Sequence, residues 1–337
     1  MKKWILNKII VLALTLFGAS LISFFLVRLV PGDPVLNLLG ERGGSVEQIE
    51  TMKARLGLDK PLPVQYLSFL KNSLRGDLGV SIVSHRPVSE EFWSRFPATL
   101  ELGLLALIWA TLVGIPLGLI AAVRRNTFWD YGVMGASLVG YSMPIFWWGL
   151  LLILFFSVHL GILPVSGRID IVYDIPMKTG LLLIDTWLSA EGAVAFFSAL
   201  KHLLLPAIVL GTIPLAMISR MTRSSLLEVL SEDYVRTARA QGIPERLVIW
   251  RVAFRNALIP IVTLIGLLVG SIMTGAVLTE TLFSWPGVGL WLVKSVEARD
   301  YPVIQGGILY ASFGVALINL TVDALYTKLN PKLRMTQ

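Results

Sequence analysis

The chain has 337 residues, of which 55% are hydrophobic and only 15% are charged, and its formal net charge is +7. Soluble domains carry about a quarter charged residues, so this composition excludes an ordinary soluble protein and predicts a chain embedded in lipid. The lack of cysteine excludes disulfides, thiolate metal sites and cysteine nucleophiles, and three histidines are too few for a histidine-rich metal site. We therefore expect neither catalytic residues nor a bound metal or cofactor.

Six stretches lack Asp, Glu, Lys and Arg and are long enough to cross a bilayer, which takes roughly 17 to 25 mostly apolar residues. They cover residues 9–27, 102–123, 131–167, 202–219, 256–279 and 301–322. The third is longer than a span requires, and we expect it to end just before His159. The fourth is the weakest because it contains Pro206 and Pro214, but neighbouring helices can satisfy the carbonyl groups that a proline frees. The pattern predicts an all-α integral membrane protein with six transmembrane helices.

The first of these stretches, within the segment 1–30, could be a signal peptide, because Lys2 and Lys3 precede it. The apolar run is long enough to span a bilayer, however, and no A-x-A cleavage site follows it. We expect it to be a retained membrane anchor.

The segment 31–100 is a long insertion between the first and second spans. Its turn residues Pro-Gly-Asp-Pro at 31–34 end the first helix. Ser45 begins a capping-box pattern, Gly57 is placed to end the helix that follows, and a second short helix is expected after Pro63. These features predict a helical extracytoplasmic insertion packed over the outer ends of the spans, with a ligand-binding domain as the alternative. The remainder, 101–337, is expected to form a five-helix core.

The distribution of basic residues predicts the orientation. With both termini in the cytoplasm, the inner segments are 1–8, 124–130, 220–255 and 323–337, and together they hold 15 of the 29 Lys and Arg. The outer segments, 28–101, 159–201 and 280–300, are longer in total and hold the other 14. Lys and Arg are therefore about twice as dense inside, as the positive-inside rule requires. The net positive charge then belongs to the inner membrane face and does not indicate nucleic-acid binding.

The inner segment 220–255 has the pattern of a helix, a glycine turn and a second helix. Ser231 is placed as an N-cap, and Glu232 and Asp233 supply acidic groups for the first turn. The helix is expected to stop at Gly242, because glycine readily takes the left-handed conformation of a helix C-terminus.

After this turn, Pro244 suits the first position of a new helix that leads through 245–254 into the fifth span. Small residues before the turn, Ala238, Ala240 and Gly242, would allow a partner groove to approach closely, which favours a docking element with Gly242 as its pivot. A basic loop held inside by its charge is the alternative. A DNA-binding helix-turn-helix is less favoured, because both ends of this short segment are tethered to spans.

The sequence contains no recognisable site for using ATP. No phosphate-binding G-x-x-x-x-G-K-[ST] sequence and no Gly-Lys pair occur, so the chain has no recognisable means of hydrolysing ATP. Ion-driven carriers usually place ionisable residues within their spans, whereas here only His159 and His202 come close, near predicted ends. An ion-coupled secondary carrier is therefore the remoter alternative, and an intramembrane enzyme lacks a convincing catalytic pair.

The frame of a Glu-Ala-Ala-x-x-x-Gly motif is occupied by residues 236–242, Arg-Thr-Ala-Arg-Ala-Gln-Gly, with literal matches at Ala238 and Gly242 only. In this segment the chain resembles the permease subunits of bacterial ABC importers, whose inner loop carries that EAA motif. The variant over 233–242, with Arg-Asn-Ala at 255–257, is typical of their peptide and nickel branch, although that branch often has a histidine near Val252. Further similar stretches are 31–34, 56–61, 76–79, 98–103, 142–144 and 279–287, and 140–149 and 206–215 look most like the first dipeptide-permease subunit.

The resemblance implies the fold of an ABC importer permease, forming half of a translocation pore in the bacterial inner membrane. The implied partners are membrane lipid, a second homologous permease subunit, two cytoplasmic ATPase subunits and an extracytoplasmic solute-binding protein, with no nucleic acid. The resemblance implies that the residues coupling the chain to the ATPases are Asp233, Tyr234, Arg236, Thr237, Ala238, Arg239, Ala240 and Gly242. A candidate outer gate, with an ordinary structured loop as the alternative, comprises Glu280, Trp285, Pro286 and Gly287.

Dipeptides or short peptides delivered by the binding protein are the expected cargo. Oligopeptides, glutathione, nickel chelates and haem are alternatives within the family, because specificity there rests largely with the binding protein. We expect closure of the ATPases to move the helix around residues 233–242 as a lever, and the fourth and fifth spans to transmit that motion to the pore.

Overall fold

The computed structural model describes residues 2–29, 47, 50 and 59–329. Within these residues the regular structure is helical, apart from one isolated bridge between Val80 and Pro87. The predicted all-α class is therefore confirmed. The turn predicted at 31–34 lies outside the described residues, as does nearly all of the helix predicted between Ser45 and Gly57.

The helices of the described chain are α1 Lys2–Leu29, α2 Leu62–Leu74, α3 Val88–Val123, α4 Phe128–Ser142, α5 Ile145–Leu152, α6 Leu182–Trp187, α7 Gly192–Leu230, α8 Asp233–Ala240, α9 Glu245–Leu247, α10 Phe254–Leu282, α11 Val288–Glu297 and α12 Tyr301–Leu329. Two π-helical segments extend them: Ile153–His159 continues α5, and Val248–Ala253 joins α9 to α10 without a break. The short helix predicted after Pro63 is α2, which begins one residue before that proline.

Five helical stretches of the described residues are long and apolar enough to cross a membrane. They are 8–26, 88–123, 192–230, 245–282 and 301–322. The remaining predicted span, the third, corresponds to α4 and α5 with its π-helical extension. These helices are long and apolar enough to cross a membrane only when taken together, and they are bent by 109° relative to each other. Counting this pair as one broken span gives the six spans that the sequence predicts.

The bend in the third predicted span is a feature that its apolar sequence did not reveal. Met143 takes an extended conformation, with φ −74° and ψ 133°, and Pro144 is the N-cap of α5. Proline lacks a backbone N–H and disfavours helical geometry in the residue before it, so the helix ends and restarts at this point. The helical backbone then continues to His159, just beyond the predicted end.

The fourth predicted span is the middle of a single helix of 39 residues, α7, that contains Pro206 and Pro214 without a break. Both prolines are buried. α7 packs closely on α3 at Gly211, where an added Cβ would lie 2.6 Å from the carbonyl oxygen of Ala106. Close contact with a neighbouring helix allows a membrane helix to contain proline without ending there.

The chain divides into two compact units, one of residues 1–97 and 287–320 and one of residues 98–286 and 321–337. The first has its core around Phe92, which stacks on Tyr310 with ring centroids 5.2 Å apart and contacts Trp291. The second has the larger core, in which α7 and α10 pack with the part of α3 after Pro97. The predicted division into a first span at 1–30, an extracytoplasmic helical insertion at 31–100 and a five-helix core at 101–337 stays a prediction.

Candidate functional site

The coupling segment, residues 233–242, consists of α8 and the turn that ends it. α8 begins at Asp233, whose carboxylate lies in the first turn, where the helix dipole favours negative charge. Its N-cap is Glu232, so the prediction that Ser231 caps this helix is wrong. Ser231 is the C-cap of α7 instead, and its hydroxyl donates to the carbonyl oxygen of Glu228 at 2.7 Å. A hydroxyl directed back to the preceding helix is not available to cap the next one.

The predicted stop at Gly242 is confirmed. Gly242 has φ +76°, its amide donates to the carbonyl of Arg239 at 2.9 Å, and the amide of Ile243 donates to the carbonyl of Ala238 at 3.3 Å. These two bonds are the Schellman arrangement that ends many helices. A Cβ added at Gly242 would meet no heavy atom of the chain within 4 Å, so the turn itself is open.

One face of α8 is buried in the second unit. Val235 is fully buried and Ala238 is 7% exposed, and both belong to an apolar cluster with Leu226, Val248 and Ala257. The interpretation that Ala238 offers a small side chain to a partner is therefore corrected: its methyl group contacts the protein's own core. Ala240 and Gly242 remain exposed, as that interpretation requires.

The other face of α8 is exposed and polar. It presents Asp233, Tyr234, Arg236, Thr237, Arg239 and Ala240. Arg239 donates to both carboxylate oxygens of Glu245, at 3.0 and 2.8 Å, and these hydrogen bonds raise the pKa of Arg239 above its ordinary value. Arg236 pairs with Asp233 at 3.1 Å on the same face. The surface is thus charged, ordered and free of bulky apolar groups other than Tyr234.

The coupling segment is fixed to the beginning of the fifth span. The side-chain amide of Asn256 in α10 donates to the hydroxyl of Tyr234 at 2.8 Å, and Val235 packs against Val248 in the π-helical segment. Pro244 occupies the N-cap of α9, one position before the first helical residue at which the sequence placed it. α9 continues through the π-helical segment into α10 without a break, so α8 is connected to the fifth span by both side-chain contacts and the backbone.

A buried ion pair joins α4 to α7 and was missed by the sequence analysis. Arg223 donates from Nε to Oδ1 of Asp130 at 2.5 Å and from Nη2 to Oδ2 at 2.7 Å. The Asp130 side chain is 2% exposed and that of Arg223 27% exposed. The available signal was one acidic and one basic residue, each just beyond the end of an uncharged stretch.

Two residues of the candidate outer gate are deeply buried. Glu280 has no exposed surface and Trp285 is 1% exposed. The hydroxyl of Thr99 donates to Oε1 of Glu280 at 2.6 Å, and the indole N–H of Trp285 donates to the carbonyl of Ala98 at 2.9 Å. The amide of Trp285 also donates to the carbonyl of Glu280, which closes the turn after α10. This end of α10 is therefore bound to α3 by hydrogen bonds at two points.

The other two gate residues have different environments. Pro286 is exposed, and Gly287 is the N-cap of α11 in an extended conformation with φ −95°. Gly287 belongs to the first compact unit and Pro286 to the second.

A second charged pair that the sequence analysis missed adjoins Trp285. Nη2 of Arg168 donates to Glu101 at 2.6 Å and to the carbonyl of Gly180 at 2.8 Å, and its guanidinium lies 5.6 Å from the Trp285 ring centre. Oε1 of Glu101 accepts the amide of Leu183 at 2.8 Å. The side chains of Arg168 and Glu101 are only 9% and 5% exposed. Glu101 directly precedes the stretch 102–123 and Arg168 directly follows the stretch 131–167. Their positions in the sequence gave no indication that they form a pair.

The loop beside this pair is held by one carboxylate. Asp185 accepts the amide and the hydroxyl of Thr179, both at 2.8 Å, and the amide of Gly180 at 2.9 Å. Burial raises the pKa of Asp185, but these hydrogen bonds outweigh it, so that the pKa lies below its ordinary value. The carboxylate therefore stabilises the loop in its ionised form.

The chemistry of both regions consists of ion pairs, hydrogen bonds and packing. Among the described residues, no group of three or more His, Asp or Glu side chains is arranged to hold a metal ion. In the coupling segment, hydrogen bonds and packing connect the exposed surface of α8 to the start of α10.

Sequence comparisons show which family the chain comes from. The family model described as "Binding-protein-dependent transport system inner membrane component" matches residues 114–335, and its N-terminal companion matches residues 1–103. The chain belongs to this family. It is a multi-pass inner membrane component of a binding-protein-dependent transport system, as the resemblance implied.

Curated relatives of this family member match it over nearly the whole chain. The Di/tripeptide transport system permease protein DppB of Pseudomonas aeruginosa is 54% identical over 99% of both chains. The Dipeptide transport system permease protein DppB of Escherichia coli K12 is 52% identical, also over 99% of both. The Glutathione transport system permease protein GsiC of Escherichia coli O6:H1 is 41% identical over the same share.

Proposed function

We propose that this chain is the permease subunit of an ATP-driven importer that carries dipeptides or short peptides delivered by a binding protein. The observation that carries the proposal is identity of 52–54% over the full length to permeases named for dipeptide and tripeptide transport. Glutathione is the second candidate cargo, supported by 41% identity to a glutathione permease over the same length. The larger identity favours unmodified short peptides.

We further propose that a second homologous permease, two ATPase subunits and an extracytoplasmic solute-binding protein complete the importer. The chain has no phosphate-binding loop sequence, so ATP hydrolysis falls to separate subunits. The family description itself supports the binding protein.

The coupling segment is the proposed ATPase contact. Its exposed residues (Asp233, Tyr234, Arg236, Thr237, Arg239, Ala240 and Gly242) would meet the partner, while Ala238 supports the helix from its buried side. The ordered charges suit a partner groove with complementary charges, and the open turn at Gly242 leaves room for close approach. Displacement of α8 would then reach α10 through Tyr234 and Asn256.

The outer gate is proposed at the turn after α10. Glu280 and Trp285 would hold the closed state through their hydrogen bonds to Thr99 and Ala98. Pro286 and Gly287 would provide the bend that leads into α11. Opening would require those two hydrogen bonds to break together, which favours two discrete states over a continuous movement.

We propose that both termini and the segment 220–255 face the cytoplasm, and that 31–100 faces outward. Because the chain has no cysteine, single cysteines can report its sidedness without background. Ser231→Cys, at an exposed position outside the proposed ATPase contact, should react with a membrane-impermeant maleimide only after the cells are opened. Ile171→Cys, at a fully exposed side chain, should react in intact cells whose outer barrier is permeabilised. The reverse pattern would overturn the orientation.

Uptake in cells tests the cargo. A strain lacking this gene should lose uptake of a radiolabelled dipeptide and regain it when the gene is restored on a plasmid. Excess unlabelled dipeptide should compete more strongly than glutathione at equal concentration. Unchanged dipeptide uptake in the deletion strain, or stronger competition by glutathione, would contradict the proposed cargo.

A further inference from the structure

A groove opens between the end of α3, the start of α4 and the helical segment formed by α9 and the π-helical turn that follows it. Its volume is about 630 Å³, within the range of small-ligand sites. It is lined by Leu119, Ile120, Val123, Arg124, Trp129, Arg246, Ile249 and Trp250. Trp129 and Trp250 are each about half exposed, so the groove faces outward from the protein.

The groove combines an apolar wall with unneutralised positive charge. The acidic side chains nearest to its arginines in sequence are already bound elsewhere: Asp130 to Arg223, and Glu245 to Arg239. Neither Arg124 nor Arg246 forms an ion pair among the described residues. The guanidinium of Arg124 lies 5.3 Å from the centre of the Trp129 ring, a distance at which the ring stabilises the cation but leaves its charge uncompensated.

The location of the groove identifies its occupant. It lies at the end of a membrane span, and exposed tryptophans beside arginines are the residues found where protein meets the headgroup layer. A soluble anion would use the two arginines but not the apolar wall of Leu119, Ile120 and Val123. A phospholipid uses both, because its phosphate is anionic and its acyl chain is apolar.

We propose that this groove binds one anionic phospholipid, such as phosphatidylglycerol. Its phosphate lies between Arg124 and Arg246, and an acyl chain follows α3 past Ile120. The inference rests on the proposed function in one respect: the proposed orientation places the groove at the cytoplasmic face of the membrane. Because the buried residues of α8 form one apolar cluster with Leu119 and Val248, which adjoin the lining residues Ile120 and Ile249 in sequence, the bound lipid stabilises the region that carries the coupling segment.

Tryptophan quenching by brominated lipid tests the proposal. The purified full-length chain is placed in phosphatidylcholine nanodiscs that contain increasing fractions of brominated phosphatidylglycerol or, in parallel, brominated phosphatidylcholine. The brominated phosphatidylglycerol should quench at much lower fractions. A basic residue near an anionic lipid surface is worth roughly fivefold in affinity, so Arg124→Gln with Arg246→Gln should raise the half-quenching fraction roughly 25-fold.

Two controls assign the effect to the groove. Arg125→Gln with Arg251→Gln removes the same charge from exposed neighbouring positions outside the groove, and should change the half-quenching fraction by less than about twofold. Trp129→Phe with Trp250→Phe should remove most of the selective quenching. If the double arginine variant does not fold, Arg246→Gln alone should still give a shift of roughly fivefold.

Three results would overturn the proposal: no preference for phosphatidylglycerol in the native chain, an equal loss in the control pair, or selective quenching that survives removal of both groove tryptophans. Without a preference for phosphatidylglycerol, the groove would instead be assigned to contact with another protein chain. The measurement needs neither partner subunits nor peptide. Failure of dipeptide uptake would therefore leave lipid binding intact, and failure of lipid binding would leave the cargo proposal intact.

Discussion

Buried charge is the main residue-scale feature of the second compact unit. Asp130 with Arg223 and Glu101 with Arg168 are close pairs whose acidic partners are almost fully buried. Removing one partner of such a pair leaves an uncompensated charge, whereas replacing both by apolar groups is often tolerated. Removing one partner of such a pair is therefore expected to destabilise the chain by more than the intact pair stabilises it.

Asp130→Asn should lower the free energy of unfolding by about 3 kcal/mol, because the guanidinium of Arg223 loses its bidentate partner. Thermal unfolding in detergent measures the change. Asp130→Asn combined with Arg223→Met should recover part of the loss.

Glu90→Gln is the matched control for this variant. It breaks the pair of Glu90 with Arg86, whose side chains are 60% and 57% exposed, so its effect should stay below about 1 kcal/mol. Equal effects of the buried and exposed substitutions would contradict the importance of burial.

The loop held by Asp185 should depend on pH. The pKa of Asp185 lies below its ordinary value in the folded chain, so its stabilising effect is complete above the unfolded pKa of about 3.9 and is lost as the pH falls through the folded pKa. Thermal unfolding of the native chain and of Asp185→Asn should differ near neutral pH and converge in strong acid. A constant difference at all pH values would show that the effect of the substitution is not ionic.

Glycine contacts between helices are the main element-scale feature. At Gly118 in α3, an added Cβ would lie 2.4 Å from the carbonyl oxygen of Ser219 and 2.6 Å from Cβ of Thr222 in α7. Because one of these atoms belongs to the backbone, the helices would have to move apart. Gly135 in α4 has no such neighbour within 4 Å.

Gly118→Ala should therefore destabilise the chain by about 1–3 kcal/mol through overpacking. Gly135→Ala is the matched control, and it should be neutral or stabilising by up to about 1 kcal/mol, because alanine favours a helix more than glycine does. Midpoints of thermal unfolding in one detergent compare the two. A neutral or stabilising effect of Gly118→Ala would contradict the close packing of α3 on α7 at this point.

The turn at Gly242 allows backbone strain to be separated from bulk. Gly242→Ala and Gly242→Trp impose the same positive φ on a non-glycine residue, at a cost of about 1–2 kcal/mol. Only tryptophan adds bulk, and a side chain there leads into space unoccupied by this chain. Gly242→Trp should abolish dipeptide uptake with the protein still inserted in the membrane, while Gly242→Ala keeps much of it. Equal uptake by both variants would contradict a partner contact at this turn.

The sequence predicted the elements whose causes are local. Gly242 ended α8 because its lack of a side chain permits a positive φ, and the apolar stretches coincided with helices because lipid requires them. The sequence did not reveal the features that depend on contacts with other helices. Ser231 bonded backward to α7, Ala238 faced the core, and the charged partners Asp130 and Arg223 are distant in sequence. The bend at Pro144 has a local cause, the proline itself, but a count of uncharged residues does not detect it.

At the scale of the whole molecule, the chain is a membrane component whose exposed polar surface and buried hydrogen bonds suit the transmission of movement. Its full-length similarity to peptide permeases supports the proposed separation of roles between this chain and the ATPase subunits. This chain would provide the route, and other subunits would supply the energy. The broad class and five of the spans could be predicted from sequence because they depend on composition, whereas the bend in the third predicted span could not.

Reconstitution tests this division of labour most directly. The purified chain is incorporated into liposomes alone, or together with its partner permease, the ATPases and the binding protein, and labelled dipeptide accumulation is measured with and without ATP. We predict accumulation against a gradient only in the complete set with ATP, and none with the chain alone. ATP-independent accumulation by the chain alone would contradict the account.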